Sequence, residues 1–371
     1  MIQLTRGLKF EIDKLYWRAM ARFIKPTPNY PIEGLPDGIT FDLVNKLSND
    51  HLNDTLLKIS YNHISAWKNT GAYRLFLETK KGTKWSLIYK QSIYSLEEIP
   101  ALSNLPVTPG ISEYAIYNNL EDKFQKYLPK IYFCCESIPN QKYQYLLEDL
   151  RGKYHPIYPK DSQFILEVVK KLPRFYCIIN NYSFRIPQSS FLKYNYNFSI
   201  QLQTYLVESL EEYIKVTGDR IVSQFFRQWH LIAKVHLRQE FYDLQIPCFI
   251  HGDFNFSNIM IDRNNPSRFK LIDWEWAGWG DNHADLASLL QLVSPDLEEE
   301  ALKIFSQKNK SLSWKNHKRL YEWCQLERGL LNAAFCAKQF IQSQNGITKL
   351  NLPRFIEISL YRAMRAYKNL R

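Results

Sequence analysis

Three short runs, at residues 56–61, 73–79 and 85–89, place apolar or aromatic residues at nearly every second position, with polar or further apolar residues between, and read as strands. Between the last two, Lys80-Lys81-Gly82-Thr83 reads as a hairpin turn. After Pro106 and Pro109, Ser112 stands as an N-cap before an amphipathic stretch over 113–127. Two more strand runs follow, at 131–135 and 143–147. From about residue 161 the period lengthens. Helical patterns cover 162–182, 199–216, 219–240, 284–293, 297–308, 314–343 and 353–369. One β-rich island interrupts them, with strands at Cys248–Ile250, 259–261 and 269–272. A β-rich part followed by a larger helical part predicts an α+β chain. Pro26, Pro28, Pro31 and Pro36 make the N-terminal stretch a connecting arm.

Composition changes this picture little. Hydrophobic residues at 45% and charged residues at 23% belong to a folded chain, which argues against large-scale disorder. No run approaches the roughly 18–20 apolar residues of a spanning helix. Residues 1–14 are mixed and charged, without an apolar leader core, so a cytoplasmic protein without membrane association is expected. The six cysteines form neither a CxxC pair nor a cluster at zinc spacing, and buried free thiols are expected. The net charge of +11 is spread along the chain without a basic run, which argues against a nucleic-acid partner. Oligomeric state leaves no mark on the sequence.

The chemistry concentrates in the β island. The stretch F-I-H-G-D-F-N-F-S-N-I-M-I-D is followed by F-K-L-I-D-W-E-W-A-G-W-G-D. Asp253 lies two residues after His251, Asn258 five residues further on, and Asp273 at the end of the next strand run. Phosphoryl transfer needs a carboxylate to take the proton of the attacking hydroxyl. It also needs hard oxygen ligands for magnesium. Asp253, Asn258 and Asp273 supply that inventory. Such residues also form turns and caps between strands, but their order and spacing together exceed what turns require.

The H-G-D-x-x-x-x-N … I-D-W-E pattern resembles the catalytic loop and metal aspartate of the aminoglycoside phosphotransferase and choline kinase family, whose fold is protein-kinase-like. The resemblance implies a two-lobed fold, with a small β-rich, nucleotide-binding N-terminal lobe over 1–148 and a larger, mainly helical, catalytic and substrate-binding C-terminal lobe over 149–371. It implies a kinase moving the γ-phosphate of ATP to a hydroxyl of a small molecule, with ATP and Mg2+ as cofactors. Asp253 would be the catalytic base, His251 a brace shaping the catalytic loop, and Asn258 and Asp273 the metal ligands. The following G-D-N-H-A-D-L-A matches the family's G-D-x-x-x-D-L-A, making Asp285 a loop-bracing residue. The alternative is a catalytically silent nucleotide-binding protein of the same fold.

The same resemblance demands a lysine for the phosphates and a glutamate to hold it. Lys90 closes the third strand run and Glu113 opens the next helix, with Lys84 and Glu121 as rivals. Glu148 and Leu150, in Y-L-L-E-D-L-R-G, fall on the expected adenine hinge. The phosphate loop, about 62–72, contains only Gly71, which leaves Ser65 and Thr70 as candidate phosphate contacts. Only about ten residues separate Asp273 from the next helix, which favours a small acceptor over a peptide. Glu275, Trp276 and Asp281, beside Trp274 and Trp279, suit a cationic head group through charge and cation–π attraction, and equally suit core packing. Trp314, Trp323, Glu322 and Glu327 on a later helix are further candidates for the pocket or its outside. An amino-alcohol, aminoglycoside-like or amino-sugar acceptor ranks first and another small alcohol or sugar next.

Overall fold

The period-two runs pair into one antiparallel sheet. A computed structural model of the chain describes residues 31–64, 70–93, 109–119, 122–137, 142–183, 191–342 and 346–371. Strands β1 (Ile32–Glu33), β2 (Leu56–His63), β3 (Thr70–Thr79), β4 (Lys84–Ile93), β5 (Ile131–Ser137) and β6 (Lys142–Glu148) lie in the order β1-β2-β3-β4-β6-β5. The expected hairpin joins β3 to β4, with Gly82 at φ +83°.

Alternation sorts the sheet's two faces. Leu87 and Tyr89 of β4 and Leu146 of β6 enter a small core with Val44 and Leu47 of helix α1 (Phe41–Leu52). Tyr143, Tyr145 and Leu147 face the other way, against Ala115, Ile116 and Tyr117 of α2 (Pro109–Asn119). Lys90 shares the parity of Ile88, which packs on that second face, so the strand itself aims Lys90 at α2.

The helix reading needs correction at this point. α2 starts at Pro109, three residues before the expected cap, and Ser112 is buried inside it. Proline lacks the N–H that a first-turn residue leaves unpaired, so it opens a helix at no hydrogen-bond cost. The stretch expected as one helix over 113–127 is instead α2 followed by the single-turn α3 (Asp122–Gln125).

The rest is mainly helical: α4 (Ser162–Ser183), α5 (Tyr196–Thr217), α6 (Arg220–Phe226), α7 (Trp229–His236), α8 (Gln239–Leu244), α9 (Asn282–Leu289), α10 (Pro295–Lys308), α11 (Trp314–Gln342) and α12 (Gly346–Leu370). The pattern over 219–240 is three short helices, α6 to α8, and not one. The β island becomes two three-stranded sheets. One orders β11 (Asn265–Leu271), β10 (Ile259–Asp262) and β7 (Tyr154–Pro156). The other orders β8 (Leu192–Lys193), β12 (Gly278–Gly280) and β9 (Cys248–Ile250). β1, β7, β8 and β12 were not expected, nor was α1; strands of two or three residues carry too little periodicity to register.

α11 runs through the main core and meets α12 closely at Gly329, where a Cβ would lie 2.7 Å from the Ser359 carbonyl oxygen. The sheet is latched to the helical part. Arg74 of β3 donates from Nε (2.6 Å) and Nη2 (3.3 Å) to the Asp149 carboxylate, which Ser86 Oγ also reaches at 3.0 Å. Of the cysteines only Cys248 and Cys324 are fully buried; Cys177 on α4 is exposed, against the expectation for the set. No helix among the described residues is long and apolar enough to cross a membrane.

Candidate active site

β9 delivers the chain to His251, Gly252 and Asp253. Gly252 has φ +80°, and a Cβ there would sit 1.8 Å from the Trp276 carbonyl oxygen. Only glycine fits both the left-handed backbone and the close approach. The buried Asp285 carboxylate accepts from the backbone N–H of His251 (2.8 Å) and of Gly252 (2.9 Å), and from the Tyr176 hydroxyl (3.0 Å). Burial raises the Asp285 carboxyl to about 6, against the pull of these bonds and of Arg328. Asp285 therefore stands as the brace that its place in G-D-N-H-A-D-L-A implied.

His251 is fully buried. Its Nε2–H donates to the Ile272 carbonyl (3.0 Å), and its Nδ1 accepts from the Asp253 N–H (3.3 Å). Burial pushes its imidazole down to about 4, so it is neutral and ties the loop to the strand bearing Asp273.

Asp253 is held by two amides. Asn255 Nδ2 donates to its Oδ1 (2.9 Å), and Asn258 Nδ2 to its Oδ2 (2.8 Å) and its backbone oxygen (2.9 Å). Burial, then the nearby Asp273 charge, raises its carboxyl above the ordinary aspartate range, against these hydrogen bonds and the Arg328 charge. That is the direction a proton acceptor needs. Asn258 closes the one-turn helix 256–258, and its backbone oxygen receives the Ile272 N–H at 3.0 Å. This bond sets Asn258 next to the strand end carrying Asp273.

Asp273 has φ +67°, one of two non-glycine residues in the left-handed region among those described. Such strain persists only where surrounding contacts impose it. Its Oδ1 accepts from Lys90 Nζ at 2.6 Å. Burial opposes its charge, but Lys90 outweighs it and holds the carboxyl below its usual range. The oxygens that Asp253 and Lys90 leave, Asn258 Oδ1 and Asp273 Oδ2, are hard donors of the type that magnesium prefers.

Lys90 also donates to Glu113 Oε2 (2.7 Å) and lies 2.9 Å from Glu275 Oε1. Burial works against its charge, yet the three carboxylates hold the ammonium well above its usual value. Lys90 and Glu113 thus meet as expected, ahead of Lys84, which pairs across the strands with Glu78, and of Glu121, which lies outside the described residues.

The other expected positions fare differently. The Glu148 carboxylate accepts from Lys130 N (3.0 Å) and Lys270 Nζ (2.7 Å), which anchors the end of β6. Leu150 is buried with Tyr154, Met260 and Ile272 in a small apolar cluster at the lobe junction. Ser65 lies outside the described residues, and Thr70 opens β3. Glu275 joins Lys90 and Ser92 Oγ (2.9 Å). Asp281 is 4% exposed and caps α9: its Oδ1 accepts from His283 N (2.9 Å) and pairs with His283 Nδ1 (2.6 Å), and its Oδ2 accepts from Ile246 N (2.9 Å). Trp276 contributes the carbonyl beneath Gly252 and a half-buried indole on the main core. Trp274 is wholly buried, with its ring 4.4 Å from His251. Trp323 is buried against His236, and Glu327 accepts from Ser199 Oγ at 2.5 Å. Trp314 and Glu322 line an outer depression with Lys315, Lys318 and Arg319. Sequence reasoning missed Arg74, Tyr194 and Arg328, none of which stands in a motif.

A family model described as the phosphotransferase enzyme family matches residues 186–329, the span that holds Asp253, Asn258, Asp273 and Asp285. Solved structures extend the likeness. A choline kinase from Cryptosporidium parvum superposes with TM-score 0.56 at 12% identity, over 84% of this chain and 90% of that one. The chain has the fold of the aminoglycoside and choline phosphotransferases. An aminoglycoside 2'-phosphotransferase solved with GDP gives TM-score 0.56 at 11% identity, over 89% of this chain and 98% of that one. A spectinomycin phosphotransferase solved with ADP and spectinomycin gives 0.52 at 13%, over 89% and 99%. The search of curated proteins returned no match. This phosphotransferase fold is protein-kinase-like, with a β-rich N-terminal lobe and a helical C-terminal lobe.

Proposed function

We propose that the chain is a small-molecule kinase that transfers the γ-phosphate of ATP to a hydroxyl of an amino-alcohol, aminoglycoside-like or sugar compound. The observation that carries this reading is the convergence of Lys90–Glu113, Asp253–Asn258 and Asp273 on one site from four separate segments. We place the lobe boundary between residues 148 and 149, where the Asp149 carboxylate is latched to the sheet. Lys90 takes the nucleotide phosphates, Leu150 and its apolar neighbours take the base, and Asp253 orients the acceptor hydroxyl and accepts its proton. Asn258 and Asp273 hold magnesium, which when bound neutralises phosphate oxygens. His251, Asp285 and Gly252 keep the loop in shape. The family match and the fold support this reading. The nucleotides in the solved neighbours named above add the expectation that this site also takes one.

The test is ADP release from Mg-ATP against a panel of amino-alcohols, aminoglycosides and sugars. Asp253→Asn is expected to cut acceptor-stimulated release by about 10²–10⁴-fold while nucleotide affinity stays within a few-fold. Normal turnover in that variant would remove the base assignment.

A further inference from the structure

Beside the catalytic loop lies a cation that meets no carboxylate directly among the described residues. Arg328, on α11, is 6% exposed, and no hydrogen bond or ion pair of its guanidinium occurs among the described residues. The guanidinium lies 5.5 Å from the Tyr194 ring centroid. The Tyr194 hydroxyl in turn donates to the Trp276 carbonyl, the group that Gly252 packs against. Arg328 is therefore one side chain away from the catalytic loop, and its charge acts on Asp253, Asp285 and His251. Its nitrogens keep some contact with the surface and hydrogen-bond to nothing among the described residues, so they can receive the oxygens of a ligand.

Three of the carboxylates expected for a cationic acceptor are engaged within the protein. Glu275 is drawn to Lys90 and Ser92, Asp281 to the α9 cap, and Glu327 to Ser199 and His236. The charge beside the loop that lacks a direct partner among the described residues is positive.

We infer that Arg328 is an oxyanion receptor, and that the acceptor carries a carboxylate or phosphate group as well as the hydroxyl that is phosphorylated. The inference rests on the kinase reading above and narrows its acceptor to the acidic members of those classes, such as hydroxy amino acids or sugar acids. The transferred phosphoryl group is the other source of an oxyanion. It is disfavoured because the cation meeting Asp273 and Glu113 is Lys90, while Arg328 acts on the loop's other members.

Matched acceptors separate these cases: serine against ethanolamine, glycerate against glycerol, and gluconate against glucitol. Each is offered to the full chain with Mg-ATP in the ADP-release assay, and nucleotide binding is titrated alongside. The acids are expected to be preferred. Arg328→Gln and Arg328→Lys are expected to raise KM for the acids on the order of 30-fold or more and leave nucleotide affinity unchanged. Arg328→Met removes the charge while keeping an unbranched side chain, and is expected to raise KM for the acids as Arg328→Gln does with nucleotide binding intact. Unchanged KM for the acids in Arg328→Met overturns the inference. Equal or better use of the amines and alcohols also overturns it. A collapse of kcat with KM for the acids intact assigns Arg328 to the phosphoryl group and overturns the acceptor assignment. Nucleotide binding with no acid preference sinks the inference alone, whereas absent nucleotide binding sinks the kinase reading itself.

Discussion

At the scale of single residues, the site depends on two backbone positions that few side chains tolerate. Asp273 holds φ +67° while its carboxylate meets Lys90. Gly252 holds φ +80° with the Trp276 carbonyl where a Cβ would be. Gly252→Ala is expected to cost about 1–2 kcal/mol for the left-handed backbone alone, and more for the collision. A lowered unfolding midpoint together with lost ADP release would bear this out; a variant that keeps both would show that the loop relaxes freely. The glycine in H-G-D was legible in the sequence as part of a motif. The reason it must be glycine was not, because the carbonyl beneath it comes from a residue 24 positions away.

At the scale of the element, the catalytic loop behaves as one braced unit in which His251 must stay neutral. Its imidazole lies near 4 in the fold, against 6.5 when unperturbed. Between those values the unfolded chain binds a proton that the folded chain refuses. The stability that His251 contributes is therefore complete above pH 6.5 and is lost as pH falls toward 4, by about 3 kcal/mol at most. Denaturant unfolding from pH 7.5 to 4.5 is expected to lose part of its steepness in His251→Gln, and an unchanged profile would contradict the buried neutral imidazole. The loop's polar residues were readable from order and spacing. Helix boundaries were less so: α2 opens at Pro109 because tertiary packing takes Ser112 into the helix interior, where its capping propensity counts for little.

At the scale of the whole molecule, Lys90 bridges the lobes. It reaches from β4 to Glu113 on α2 and to Asp273 and Glu275 beyond β11. Those three carboxylates lie within 4.8 Å of one another, so removing the ammonium leaves them opposed. Lys90→Met is expected to destabilise the chain by about 3–5 kcal/mol near neutral pH and to weaken nucleotide binding. Scanning calorimetry should show the deficit shrinking in acid as carboxylates protonate, and a variant as stable as the parent would mean the lobes are held elsewhere. Sequence alone determined what depends on near neighbours along the chain: the strand periodicity, the parity that turns Lys90 toward a helix, and the spacing from Asp253 to Asn258. It could not sort the charges around the acceptor, because each carboxylate's partner lies far off in sequence. Only the folded chain sends Glu275 to Lys90, commits Asp281 to a helix cap and sets Arg328 over the Tyr194 ring beside the loop. Hydrogen bonds and ion pairs are decided by distances of a few ångströms in space, and a linear pattern carries those only between near neighbours.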